Sequence, residues 1–158
     1  MNTVLADDLA HSKALPDLAT KLLTARQNSL VLFQKLAALQ QPFAPAAPIP
    51  HLLQRFRQTL VDYMALGLFE VFQALEDQPV DSPYRRARQL THRCYARIAR
   101  TTQAALAFHD RYDGNLSTAK LAELGEDLSQ LGEQLAERIE LEDQIVAAIR
   151  NSSNTIAA

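Results

Sequence analysis

At 158 residues with a 47% hydrophobic share, the chain is long enough to bury a self-sufficient core within one domain. Its 4 glycines argue against a turn-rich β-fold, which needs glycine at many of its turns. A formal charge of -2 excludes general affinity for nucleic acid, and the single cysteine, Cys94, excludes an intramolecular disulfide or a cysteine-based zinc cluster.

The N-terminal stretch MNTVLADDLAHSKAL carries Asp7 and Asp8 and no apolar run of signal-peptide length. No segment approaches the ~20 apolar residues of a membrane span, so a cytoplasmic protein without membrane contact is expected. Pro16 suits a first helical turn, and Leu18, Leu22, Leu23, Leu30, Phe33, Leu36 and Ala37 make a stripe behind it. The run QQPFAPAAPIP stops that helix, because Pro42, Pro45, Pro48 and Pro50 favour a stiff extended connection.

A second helix follows, with Leu53, Phe56, Leu60, Met64, Leu68, Val71 and Leu75 on one face. QPVDSP breaks it, and Ser82-Pro83 reads as an N-cap followed by a first-turn proline. The third helix spaces Ala87, Leu90, Cys94, Ile98, Thr101, Ala105, Phe108 and Tyr112 three or four apart. DGN at 113–115 is a turn signal. The fourth carries Leu121, Leu124, Leu128, Leu131, Leu135, Ile139, Ile145, Val146 and Ile149. The helices are expected over about 16–39, 51–77, 83–112 and 117–150, as one domain over 1–150, with 151–158 as a flexible tail. Rods of similar length separated by short breaks bury their stripes best side by side. The expected fold is therefore all-α, an up-down-up-down four-helix bundle with a short N-terminal extension.

Several charges interrupt these stripes. Glu142 stands three residues after Ile139 and three before Ile145, so it points with them; Arg138 lies at the edge of the same stripe. Arg26 has Leu22, Leu23 and Leu30 as its helical neighbours, and Asp62 has Thr59, Ala65 and Leu66. A buried unpaired carboxylate is too costly to persist, so such groups pair, take up a proton or face a wet opening. One reading is a polar patch of Arg26, Asp62, Arg138 and Glu142 inside the bundle or at one mouth; the other is helix-edge charges reaching solvent along their stems. The in-register position of Glu142 favours the patch. Gly67, mid-helix, costs about 1 kcal/mol relative to alanine and asks for a reason.

Arg86, Arg93, Arg97 and Arg100 share a face of the third helix, and the fourth answers with Glu123, Glu126, Asp127, Glu133, Glu137, Glu140 and Asp143. Mutual screening or a solvated basic face explains this, and the lack of interleaved aromatics disfavours nucleic acid. Cys94, in register with Leu90 and Ile98, reads as a small buried hydrophobe rather than a reactive thiol. None of His11, His51, His92 and His109 stands three residues after a glutamate, as a di-iron bundle site requires, so no metal or other cofactor is expected. There is no Gly-rich phosphate loop and no nucleophile with a recognisable base, so an enzyme is not expected. His92 amid arginines leaves a histidine phosphotransfer bundle as an alternative, although HRCYAR lacks the lysine and small residue usual after such a histidine.

The stretch QTLVDYMALGLFEVFQAL (58–75) resembles the Q-S-L-V-D-Y-x-x-x-G-x-F segment of the Rsd/AlgQ family, bacterial regulators of the housekeeping sigma factor. GEQLAERIELEDQIV (132–146) is similar to that family's G-E-x-L-x-x-R-x-x-L-E-D, with further likeness in ARQNSLVLFQKL (25–36) and TQAALAFHD (102–110). The chain lacks the tryptophan the family carries in its first helix. The resemblance implies a four-helix bundle acting as an anti-sigma factor. It would bind the C-terminal promoter-recognition domain of sigma, keeping it from core RNA polymerase and the -35 element, and some members also bind the phosphocarrier HPr. Asp62 matches the family's sigma-contacting aspartate, with apolar contact expected from Leu66 and Phe69 or Leu68. Tyr63, Gly67, Phe69, Arg26, Arg138, Glu142 and Asp143 match further motif positions; of these, Arg26, Arg138, Glu142 and Asp143 are expected to form the polar patch.

Overall fold

A computed structural model describes the backbone of residues 2–157 and the side chains of 14–153; the side chains of Asp7, Asp8 and His11 lie outside the described residues. Four rods make up the molecule. α1 is Asn2–Ala38, and α2 is one rod in three stretches, Ile49–Leu66, Gly67–Phe72 and Gln73–Glu76. α3 is Arg85–Arg111 and α4 is Thr118–Ala157.

Each neighbouring pair runs antiparallel, which is visible in which residues meet. Phe33 lies 6.0 Å from Phe56 between α1 and α2, while Leu22, a few turns earlier, lies against Gly67. Phe56 meets Phe108 at 5.7 Å, and Glu76, further along α2, reaches back to His92 on α3. Arg111 pairs with Asp127 at 2.9 Å and Arg97 with Glu137 at 2.9 Å between α3 and α4. Arg26 pairs with Asp143 at 2.9 Å while Phe33 lies against Gly132, closing the ring from α4 to α1. The result is the up-down-up-down bundle that the stripes imply.

The core follows the apolar spacing most closely on α3, where Ala87, Cys94, Ile98, Thr101, Ala105, Phe108 and Tyr112 are all buried. At the opposite end of α3 from its start, Arg57 on α2 donates Nε to the His109 carbonyl at 2.8 Å. Its Nη2 meets His109 Nε2 at 3.3 Å, so that nitrogen accepts and Nδ1 carries the proton donated to Asp110 at 3.1 Å. Gly114 turns the chain into α4 with φ at 79°, the left-handed region glycine enters without strain.

The ends of the rods differ from expectation. α1 does not begin near Pro16 but runs from Asn2 with the proline inside it; Thr20 Oγ1 donates to the Pro16 carbonyl at 3.1 Å. α2 begins at Ile49, because Pro50 falls in the first turn, where its missing N–H costs nothing. Ser82 does not cap α3, which starts at Arg85. Its hydroxyl donates to Gln78 at 2.7 Å and accepts the Tyr84 N–H at 3.1 Å, forming a turn just ahead of the helix. The segment from Asn151, expected as a flexible tail, continues α4 to Ala157. Ser152 and Ser153 return their hydroxyls to the carbonyls one turn back, and Ser153 also meets the Tyr84 hydroxyl at 3.0 Å.

Candidate functional site

A cluster of charge lies where α1, α2, α3 and α4 converge, sealed at Arg138 and Glu142 and open at its rim, where the Asp143 side chain is 56% exposed. Arg138 and Glu142 on α4 are both 0% exposed, and Arg138 Nε donates to Glu142 Oε2 at 2.9 Å. Arg138 Nη1 donates to Thr101 Oγ1 at 3.1 Å and to Thr102 Oγ1 at 2.7 Å. Both threonine hydroxyls send their own protons to the Ile98 carbonyl, which leaves their lone pairs free for the guanidinium. The other Glu142 oxygen accepts the Tyr63 hydroxyl and lies 3.5 Å from Arg26, which also binds Asp143 at 2.9 Å.

Arg138 and Glu142 form a formally neutral pair, which is the condition for burying such groups at all, while Arg26 and the half-exposed Asp143 pair at the rim. Burial pushes the Glu142 carboxyl above its usual range, against the pull of Arg138, the Tyr63 hydroxyl and Arg26. Burial and the Glu142 charge push the Tyr63 hydroxyl up in turn. Arg26 is held above its ordinary value: its partial burial works the other way, but Asp143 and Glu142 outweigh it.

The structure thus brings together Arg26, Arg138, Glu142 and Asp143 but not Asp62, which is exposed on the outer side of α2. The reason is rotation: Asp62 stands two residues from buried Leu60, about 200° round the helix at ~100° per residue. Among the described residues it takes one hydrogen bond, from Gln58 Nε2 at 3.3 Å. Leu66, one turn on, is half-buried, and Phe69 is 70% exposed.

Phe69 belongs to a feature the apolar spacing conceals. Gly67–Phe72 winds as a single π-helical stretch. The wide turn puts Gly67, Val71 and Phe72 inside and sends Leu68, expected in the core stripe, to the surface at 41% exposure beside Glu70. Gly67 answers to close approach: a Cβ there would lie 3.0 Å from Arg138 Nη2 and 3.4 Å from the Phe72 ring. That nitrogen has no hydrogen-bond partner among the described residues, and its guanidinium carbon sits 5.4 Å from the centre of the Tyr63 ring. Thr101, Thr102 and the wide turn are the parts of this region that spacing on single helices did not reveal. Phe72, apolar but off the α2 stripe, was the one trace of the turn.

Elsewhere, His92 meets Glu76 across the α2–α3 seam, holding the exposed Glu76 carboxyl below its usual range, with Arg88 at 3.6 Å. Arg97 pairs with Glu137, whereas Arg86, Arg93 and Arg100 make no ion pair among the described residues. Cys94 is buried and free. Among the described residues no three His, Cys, Asp or Glu side chains gather as metal ligands, and no helix is long and apolar enough to cross a membrane.

Fold and site together define a class: an all-α bundle with a neutralised charge cluster inside and an acidic, partly apolar face outside on α2. The chain belongs to the Rsd/AlgQ family. The family model described as "Regulator of RNA polymerase sigma(70) subunit, Rsd/AlgQ" matches residues 9–150. A "Regulator of sigma D" from Yersinia enterocolitica is 30% identical over 132 residues, covering 82% of this chain and 78% of the relative. Its namesake in Yersinia pseudotuberculosis is 29% identical over 134 residues with the same coverage of both chains. One from Enterobacter sp. (strain 638) is 33% identical over 100 residues, 60% of this chain and 56% of the relative. No solved structure matches the chain significantly.

Proposed function

We propose that this protein is an anti-sigma factor. It binds the C-terminal promoter-recognition domain of the housekeeping sigma factor and keeps that domain from core RNA polymerase and the -35 element. Family membership supports the sigma partner. The observation that carries the mechanism is the outer face of α2, where exposed Asp62 stands one turn from Leu66 and two from exposed Phe69.

A promoter-reading helix-turn-helix is basic on the side that faces DNA, so a protein that occludes it needs carboxylates beside an apolar platform. Asp62 pairs with a cation of that domain, and Phe69 and Leu66 supply apolar contact around it. Water excluded by the ring strengthens the ion pair, since the same charges attract far more weakly when hydrated. Neither reaction chemistry nor a cofactor is part of this role. The HPr expectation has no observation behind it, and the phosphotransfer alternative gains none from His92, which is engaged with Glu76; the proposal is confined to sigma.

Co-purification tests it. The tagged protein drawn from a lysate of its own cells is expected to retain the housekeeping sigma factor without the core polymerase subunits. Sigma recovered only together with core, or not at all, would overturn the reading.

A further inference from the structure

The α2 rod contains one residue more than a regular helix needs to bury its apolar side. Phe72 stands twelve residues after Leu60 (72 − 60), so an unbroken α-helix at ~100° per residue would leave it about 120° off the core direction. Phe72 is nevertheless buried alongside Val71 and Leu75, which already lie near the core direction, because the π-helical stretch unwinds the rod and brings Phe72 back over the core. Leu68, Phe69 and Glu70 stay exposed on the outer side of the same turn, so the extra residue lets Phe72 go in without drawing Phe69 in after it. Single wide turns of this kind are rare inside α-helices and occur frequently at functional sites.

The inner side of the turn is seated on a buried cation. Arg138 Nη2 would lie 3.0 Å from a Gly67 Cβ, so an added side chain would require the guanidinium to give by a few tenths of an ångström. The guanidinium cannot retreat without loss, because Glu142 holds Nε at 2.9 Å and Thr101 and Thr102 hold Nη1. Tyr63, beneath the same guanidinium and bonded to Glu142, is the residue next to Asp62.

We propose that the wide turn at Gly67–Phe72 is a recognition knuckle, fixed from within by the contact of Gly67 with Arg138. Gly67 and Arg138 are positioning residues: they touch no partner, but they set where Phe69 and Glu70 stand relative to Asp62. The knuckle fits a basic module with an apolar notch; Phe69 enters the notch, while Asp62 and Glu70, about 12 Å apart along the rod at 1.5 Å per residue, meet cations on either side. This inference rests on the sigma-binding reading and adds a geometric requirement to it.

Deletion of Leu68 tests the requirement, since it removes the extra residue, returns Phe72 and Leu75 to α-helical register and keeps Asp62, Phe69 and Glu70 in the chain. The deletion variant is expected to melt close to wild type but to bind the isolated C-terminal domain of sigma at least about tenfold more weakly, or about 1.4 kcal/mol. Leu68→Ala, which keeps the turn, is expected to stay within about threefold of wild type. A folded deletion variant that binds like wild type overturns the proposal. Should the deletion prevent folding, Gly67→Ala decides: it is expected to weaken binding in the parent protein but to have no further effect once Phe69→Ala is present. Additive losses overturn the proposal. A wild-type protein that does not bind the sigma domain removes the functional reading itself and this inference with it, whereas a binding wild type and an equally binding deletion remove the inference alone.

Discussion

Arg138 and Glu142 stand one helical turn apart on α4, joined at 2.9 Å, and neither side chain reaches solvent. Such a pair contributes little net stability compared with apolar residues of the same volume, because each ion has lost its water. Its arrangement matters for another reason. The guanidinium spans from Glu142 to Thr101 on α3 and lies against Gly67 on α2, so one side chain fixes the spacing of three rods.

Removing one member leaves the other buried without its counter-ion. Glu142→Ala is therefore expected to destabilise the protein by about 3 kcal/mol. For a chain of this length that is a fall of roughly 6–12 °C in melting midpoint, read by calorimetry or circular dichroism. Arg138→Met combined with Glu142→Leu is expected to recover part of the loss, since no charge is then stranded. A single variant that melts like wild type would show that Arg138 finds other support.

Alkaline pH probes a second buried hydroxyl. Burial, followed by the hydrogen bond to Asp127, pushes Tyr112 up to about 12. An unfolded tyrosine loses its proton near pH ~10, so across the interval between the two values only the native state keeps it. This contribution to stability is whole below about pH 10 and is lost as pH rises towards about 12. Tyr63, also pushed up by burial, adds to the same slope. Urea midpoints measured from about pH 9 to about pH 11.5 should fall, and Tyr112→Phe should make the fall shallower. An identical slope in wild type and Tyr112→Phe would exclude Tyr112 as its source.

Phe69 and Leu60 should separate binding from folding. Phe69 is 70% exposed, so Phe69→Ala is expected to leave the melting midpoint within about 1–2 °C while weakening the sigma domain's affinity by about 1–2 kcal/mol. Leu60, 0% exposed, should behave oppositely: Leu60→Ala is expected to cost about 2–5 kcal/mol of stability. Paired thermal melts and binding titrations check both, and a Phe69→Ala protein with unchanged affinity would remove the ring from the proposed contact surface.

How far the structure could be read in advance differed from helix to helix. The buried face of α3 is nearly the stripe its spacing implies, because Cys94, Ile98, Thr101, Ala105 and Phe108 pack without interruption. Glu142 was legible as an inward charge because it shares a helix face with Ile139 and Ile145. The full burial of Arg138 was not, since Thr101 and Thr102, which hold it, come from another rod. The wide turn was hidden by a coincidence of spacing: Met64, Leu68, Val71 and Leu75 continue an α-helical pattern through a segment that the chain winds differently. Asp62 reads as an inner charge because Ala65 and Leu66 share its helix face, but both are only half-buried, so that face turns outward.

The central claim, that the exposed carboxylate of α2 captures a basic promoter-reading module, is tested most directly by calorimetric titration of the isolated sigma C-terminal domain into wild type and Asp62→Ala. Asp62 makes one hydrogen bond, to Gln58, and lies outside the core, so the variant should melt like wild type. The account predicts a loss of at least about 2 kcal/mol in affinity, or roughly 30-fold. Equal affinity of the two proteins for the sigma domain would contradict it.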